Sequence, residues 1–314
     1  MARLLYAMNL PPLRPHWLVL LALLAAPAGR ATEVRPTMLL LDGARTGPAV
    51  VVVGERGTIL RSTDEGRTWA ATGGTFSPAF TGVAFAGDTA HGWAVGHDAL
   101  IVATTDGGLT WRKQWQAENL SDSFLDVLAL DAQRVIAVGA YGLFVTTADG
   151  GRTWQRRKLS EDDFHFNRIT RGPTGTLYLA GERGTLLRSR DQGLSWSRID
   201  SPYDGSFYGI LPLEERTLLA YGLRGRIYRS TDDGDTWTAV PNERRVLLAA
   251  AVRAANGTLV LAGQSRALFA SRDAGGSVAD WAVPFTTAVA ELLALPDGSL
   301  LALGEAGATR LPAP

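Results

Sequence analysis

A nine-residue phrase returns along this chain, and a chain that repeats itself at a fixed period builds a fold that repeats with it. The phrase reads RSTDEGRTW at residues 61–69 and recurs as ATTDGGLTW ending at Trp111, TTADGGRTW ending at Trp154, RSRDQGLSW ending at Trp196 and RSTDDGDTW ending at Trp237. A loosened copy, SRDAGGSVADW, occupies 271–281. Aligned on Asp64, Asp106, Asp149, Asp191, Asp232 and Asp273, the copies return about every 42 residues, within the range of about 40 to 45 typical of four-stranded propeller blades. A second mark keeps this period. Glycines end an apolar run at Gly54, Gly96, Gly139, Gly181, Gly222, Gly263 and Gly304, each opening a short turn such as GERG. The second mark occurs seven times, so seven units are expected.

Within one unit, residues 124–159, four β-rich runs are separated by turn residues: DVLAL, VIAVG, LFVTT and TWQRR. No segment carries a helical period. The pattern predicts an all-β chain, a seven-bladed β-propeller of four-stranded antiparallel blades whose stacking buries both faces of every blade. In the repeated phrase the aspartate accepts backbone N–H bonds across a turn between third and fourth strands, and the glycine supplies a costly backbone conformation. The tryptophans Trp69, Trp111, Trp154, Trp196 and Trp237 pack beneath the hairpin. Turn chemistry accounts for these residues, so a structural role is expected rather than a catalytic or calcium-binding one. The phrase resembles the Asp box of BNR-type repeats.

Charge narrows the function classes. The 31 basic and 31 acidic residues cancel, against the basic excess usual in nucleic-acid binders. With no cysteine there is no disulfide framework, thiolate ligand, cysteine nucleophile or lipobox anchor. The four histidines, His16, His91, His97 and His165, show no ligand spacing, so neither metal nor cofactor is expected. At the N-terminus, Arg3 and Arg14 precede the apolar run WLVLLALLAAPA, and small residues follow at Ala26, Ala28 and Ala31. This is the pattern of a secretory signal peptide over residues 1–31, cleaved after Ala28 or Ala31. The run is short for a span of about 20 apolar residues, which weighs against an uncleaved anchor. The expectation is an exported, periplasmic propeller over 32–314.

Blades of the VGERGTILRSTDEGRTW style, seven regular units and a signal peptide together resemble the photosystem II stability and assembly factor family across the whole mature chain. The resemblance implies a non-enzymatic seven-bladed propeller that binds a membrane or envelope protein and assists its assembly or stability; a monomer is expected. It implies no small-molecule substrate.

The turns opposite the Asp boxes are the expected binding face. They carry Glu55 and Arg56, His97 and Asp98, Tyr141, Glu182 and Arg183, Arg224, Gln264 and Arg266, and Glu305. Arg56, Arg183 and Arg224 share one turn position, which favours a basic patch for carboxylate-bearing groups. The patch resembles an arginine patch of the photosynthetic relatives, although Asp98, Tyr141, Ser265 and Ala306 hold the matching position elsewhere. Among the inter-blade aromatics, Phe124, Phe166 and Phe207 keep a fixed distance from their glycines and are expected in the core. Phe164, His165, Tyr203 and Tyr208 lie off that register and are candidates for partner contact.

The alternative is a sialidase-like glycoside hydrolase built on Asp-box repeats, with Arg56, Arg183, Arg224, Tyr141 and Glu182 as candidate site residues. Against it stand the count of seven, the missing early RIP motif and links too short to wall a deep sugar site. One further expectation concerns closure. The seventh unit ends after three strands, and Glu33 to Arg35 are predicted to pair antiparallel with Ala308 to Leu311 to supply the fourth.

Overall fold

The computed structural model describes residues 37–214 and 216–314. These form seven antiparallel sheets, each ordered from first to last strand; six have four strands and the seventh has three among the described residues. The first strands are Leu40–Thr46, Phe80–Phe85, Phe124–Ala129, Phe166–Arg171, Phe207–Pro212, Leu248–Arg253 and Val289–Ala294. Each packs on the next, and the last packs on the first. The molecule is a closed seven-bladed propeller. The predicted pairing of Glu33 to Arg35 lies outside the described residues.

Burial follows the sequence pattern. The second strand of every blade, such as Val135–Gly139, is buried along its whole length, because neighbouring blades cover both its faces. Seven hydrophobic clusters result, one at each blade–blade interface. Leu40, Val52 and Trp69 of blade one pack with Leu301 and Leu303 of blade seven, which joins the ends of the ring through apolar contact. Phe80, Phe124, Phe166 and Phe207 are fully buried. The fourth strands are shorter than the runs in the sequence suggest. TWQRR contributes only Gln155–Arg156, and among the six described fourth strands only that of blade two, Arg112–Gln116, is long. At the rim both residues of each two-residue outer strand are exposed, so pairing rather than packing holds the strand.

The repeated phrase builds the same turn six times. In blade one, Ser62 Oγ donates to Asp64 Oδ1 at 2.7 Å and accepts the Gly66 N–H at 2.8 Å. Asp64 Oδ1 accepts the Thr68 N–H at 2.8 Å, and Oδ2 accepts the Thr68 hydroxyl at 2.6 Å. The loosened copy keeps every one of these bonds, with Asp273 between Ser271 and Ser277. Its tryptophan moves: Val278 packs at the interface of blades five and six, while Trp281 packs between six and seven. Two left-handed residues in succession follow each aspartate. Non-glycine residues such as Glu65 (φ 60°) and Gln192 (φ 60°) hold the first position, but all six copies have glycine at the second, where φ is 83° in Gly66 and 90° in Gly234.

That left-handed pair turns a carbonyl sideways, towards the preceding blade. Arg61 Nε donates to Gly107 O at 3.0 Å, Gln114 Nε2 to Gly150 O at 2.7 Å, and Arg157 Nη1 to Gly193 O at 2.8 Å. Arg188 Nη1 donates to Asp233 O at 2.6 Å, Arg229 Nε to Ala274 O at 2.8 Å, and Arg310 Nη1 to Glu65 O at 2.5 Å. The turn therefore staples its own hairpin and also receives a brace from the blade before it.

Candidate functional site

At the opposite end of the blades, the turns after the second strands are built by backbone. The N–H of the first turn residue bonds the carbonyl just ahead of the same blade's first strand, as in Glu55 N to Leu39 O at 3.1 Å and Glu182 N to His165 O at 3.0 Å. That carbonyl occupies the space a side chain would need. A Cβ placed on Gly54 would stand 2.1 Å from Leu39 O, and one on Gly263 1.9 Å from Leu247 O. This close approach explains the seven strand-ending glycines.

The next turn residue is left-handed in six blades: Arg56 (φ 55°), Asp98 (57°), Tyr141 (55°), Arg183 (49°), Arg224 (58°) and Ser265 (52°). Held by backbone bonds around it, the position accepts any side chain that stands clear, and Arg56, Tyr141, Arg183 and Arg224 are all exposed. Arg266 follows Ser265 and is also left-handed (φ 58°), where most of the other turns place glycine. His97 is exposed, with Nδ1 3.0 Å from Ser123 Oγ.

Two sectors of this face gather some of the candidates, while Arg56, His97 and Arg266, on blades one, two and six, lie outside both. Between blades three and four, Tyr141 meets His165 edge-on with ring centroids 4.7 Å apart, and the Arg183 guanidinium lies 5.5 Å from the Phe164 ring centre. Glu182 is committed to the scaffold: Oε2 accepts the His165 N–H at 3.1 Å, and Oε1 lies 3.5 Å from His165 Nδ1. Glu55 does the same for the Leu39 N–H at 3.1 Å. In the second sector, on blade five and the link that follows it, Arg224, Arg226, Asn242, Glu243 and Arg245 line a cavity of about 410 Å³. Among the described residues no carboxylate stands within ion-pair distance of Arg56, Arg183, Arg224, Arg226, Arg245 or Arg266.

Tyr203 sits elsewhere than its sequence position suggested. Its ring stacks on Tyr228 at 6.2 Å, meets Phe207 edge-on at 5.9 Å and lies under Arg226, so it packs into the interface of blades four and five. Tyr208 is half-buried at the bulge of its strand. Arg226 and Arg245 do not occupy the turn position that Arg56, Arg183 and Arg224 share, so that pattern does not reveal them. Their signal lay in the local runs RGR at 224–226 and RR at 244–245.

A family profile, Photosynthesis system II assembly factor YCF48, matches residues 112–282. The chain belongs to this family. Two YCF48 structures share its fold. YCF48 bound to a D1 peptide is 22% identical, with 90% of this chain and 94% of that one covered and a TM-score of 0.72. YCF48 from Cyanidioschyzon merolae is 16% identical, with 89% and 98% covered and the same TM-score. An ancestral GH74 enzyme is also similar in fold, at 15% identity and a TM-score of 0.67; 87% of this chain and 44% of that one are covered. No curated protein matches in sequence.

Proposed function

We propose that this member of the YCF48 family is an exported, non-catalytic scaffold that captures a carboxylate-bearing segment of a membrane or envelope protein and assists its assembly or stability. The observation that carries this reading is the set of exposed guanidinium groups without carboxylate partners on the face that also bears the aromatic pair Tyr141 and His165. Arginine forks bind carboxylates bidentately, and aromatic neighbours add apolar contact. The D1 peptide in the similar YCF48 structure supports a peptide as the kind of ligand such a propeller takes. The signal-peptide pattern of residues 1–31 supports export to the periplasm, and the near-neutral charge supports a protein partner rather than nucleic acid.

The non-catalytic reading rests on the use of Glu182. A glycosidase needs positioned carboxyl groups free to donate or accept a proton, and this one braces a backbone N–H. The test is capture of envelope proteins by the mature chain carrying Arg56→Glu, Arg183→Glu and Arg224→Glu together. Loss of capture with an unchanged melting temperature is expected. Capture equal to wild type overturns the assignment of this face. Turnover of sialosides or aryl glycosides that disappears in Glu182→Gln overturns the non-catalytic reading.

A further inference from the structure

All seven first strands carry a bulge after their first residue, as between Leu40 and Asp42 or between Val289 and Glu291. The third residues are Asp42, Gly82, Asp126, Arg168, Gly209, Ala250 and Glu291. Arg168 of blade four donates from Nη2 to Glu291 Oε2 of blade seven at 2.5 Å, with Nε 3.9 Å from Asp126 Oδ2 of blade three. Blades four and seven are not neighbours in the ring, so their side chains can meet only across its axis. Tyr221 reaches inward through the gap left by Gly209, where a Cβ would lie 2.2 Å from the tyrosine hydroxyl.

Three carboxylates are thus buried at the centre of the molecule around one guanidinium, whose side chain stays about a quarter exposed. Asp42 is 6% exposed, Asp126 7% and Glu291 5%. Backbone donors hold each carboxylate: Val83 N–H bonds Asp42 at 2.7 Å, Ile169 N–H bonds Asp126 at 2.8 Å, and Leu292 N–H bonds Glu291 at 2.9 Å. The first strands of blades two, five and six bring no titratable group to this position. With every carboxyl ionised, the cluster holds two negative charges more than its one guanidinium balances. A buried charge without a partner is costly, and a carboxyl relieves that cost by taking a proton. Among the described residues no three His, Asp or Glu side chains are arranged to hold a metal ion.

We propose that this axial cluster is a proton-loaded clasp, in which Asp42 and Asp126 take up protons that hold blades one, three, four and seven together in mildly acidic solution and release them, loosening the ring, as pH rises. Burial raises both groups, Asp42 well above the ordinary aspartate range, with the charge of Glu291 adding to it, and Asp126 to about 6 despite the pull of Arg168. Raised carboxyls bind more protons folded than unfolded. Their contribution to stability is therefore full below the unfolded value of about 4 and is lost as pH rises through the folded values. A protonated Asp42 also adds an O–H donor to a group short of donors.

The experiment is thermal unfolding of wild type and Asp42→Asn at several pH values from about 5 to 8 at constant ionic strength. Wild type is expected to melt several degrees higher at the acid end. Asp42→Asn is expected to flatten that slope and to melt above wild type at the alkaline end. His91 beside Asp88 and His165 beside Glu182 are present in both proteins, so the difference between them isolates the cluster. Equal slopes overturn the proposal. Carbon-13 titration of aspartate-labelled wild type decides independently of the variant's folding. Two aspartate carboxyls titrating above about pH 5 support the clasp, and all of them finishing below that pH, near ordinary values, overturn it.

Discussion

The two ends of the blades are made by different means. At one end the turn is specified by side chains. A hydroxyl, an aspartate, a glycine and a second hydroxyl interlock, and replacing any of them removes bonds the others depend on. At the other end the turn is specified by backbone, by the close approach of a carbonyl to a glycine, and the two residues after that glycine differ freely from blade to blade. Glu-Arg, His-Asp, Ala-Tyr, Leu-Arg and Gln-Ser all occupy the same geometry. Glu55 and Glu182 brace the backbone, but the left-handed residue that follows them carries a side chain the turn does not need, free to bind something. Sequence regularity in this molecule marks structure, and irregularity at a fixed geometry marks the candidate surface.

The contrast can be broken or sharpened by substitution. The largest loss is expected for Trp69→Ala. This side chain is 2% exposed, and truncating a fully buried aromatic costs about 3 to 5 kcal/mol, read by denaturant unfolding. Trp154→Ala should cost clearly less, because that ring is half-buried and its Nε1 has no partner. Next comes Asp64→Ala, expected to cost about 2 kcal/mol through loss of charge-assisted bonds to Thr68 and Ser62. Arg310→Ala, which removes the brace from blade seven to blade one, should cost about 1 kcal/mol. The smallest effect belongs to the other end, where Arg56→Glu, Arg183→Glu and Arg224→Glu should each change stability by less than about 0.5 kcal/mol. A loss there as large as that of Asp64→Ala would erase the distinction between the two ends.

The side-chain end also makes a pH prediction. Hydroxyl and N–H donors, first among them Thr153 at Asp149 and Thr236 at Asp232, hold these carboxyls down to about 2. Lowered carboxyls stabilise the fold above their unfolded value of about 4, and that contribution is lost as pH falls towards about 2. Acid unfolding in that range is expected, and alanine at one turn should move its midpoint upward. The axial carboxyls respond with the opposite sign in a higher range, so the two effects separate along one titration.

The blade count, the strand order and the chemistry of the repeated turn were legible because each is written seven or six times at one period. Three features were not. The braces between blades end on carbonyl oxygens, which every residue has, so nothing in the sequence marks Arg61 or Arg229 for this role. The shortness of the outer strands reflects solvation of the rim, and TWQRR gives no sign of it. The axial group was visible only as charges interrupting apolar runs, LLLDGA, FLDVLAL and VAELLAL, at one register. Each reads alone as an isolated exception, and only closure of the ring makes them meet. On the candidate face, the shared position of Arg56, Arg183 and Arg224 was readable. Packing of Tyr203 under Arg226 was not, because it depends on the neighbouring blade.

The braces also give the ring a sense of rotation. Each of six blades grips the one that follows it, and none of these grips runs backwards, as in a row of hooks facing one way. Such a circle has a seam where the sequence of hooks lapses. That place is between blades six and seven, where the described residues hold no brace of this kind. There Asn256 Nδ2 of blade six donates to Pro314 O, beyond the third strand of blade seven, at 2.7 Å instead. That junction keeps its apolar cluster like the others, but at the rim the bond from Asn256 stands in for the brace.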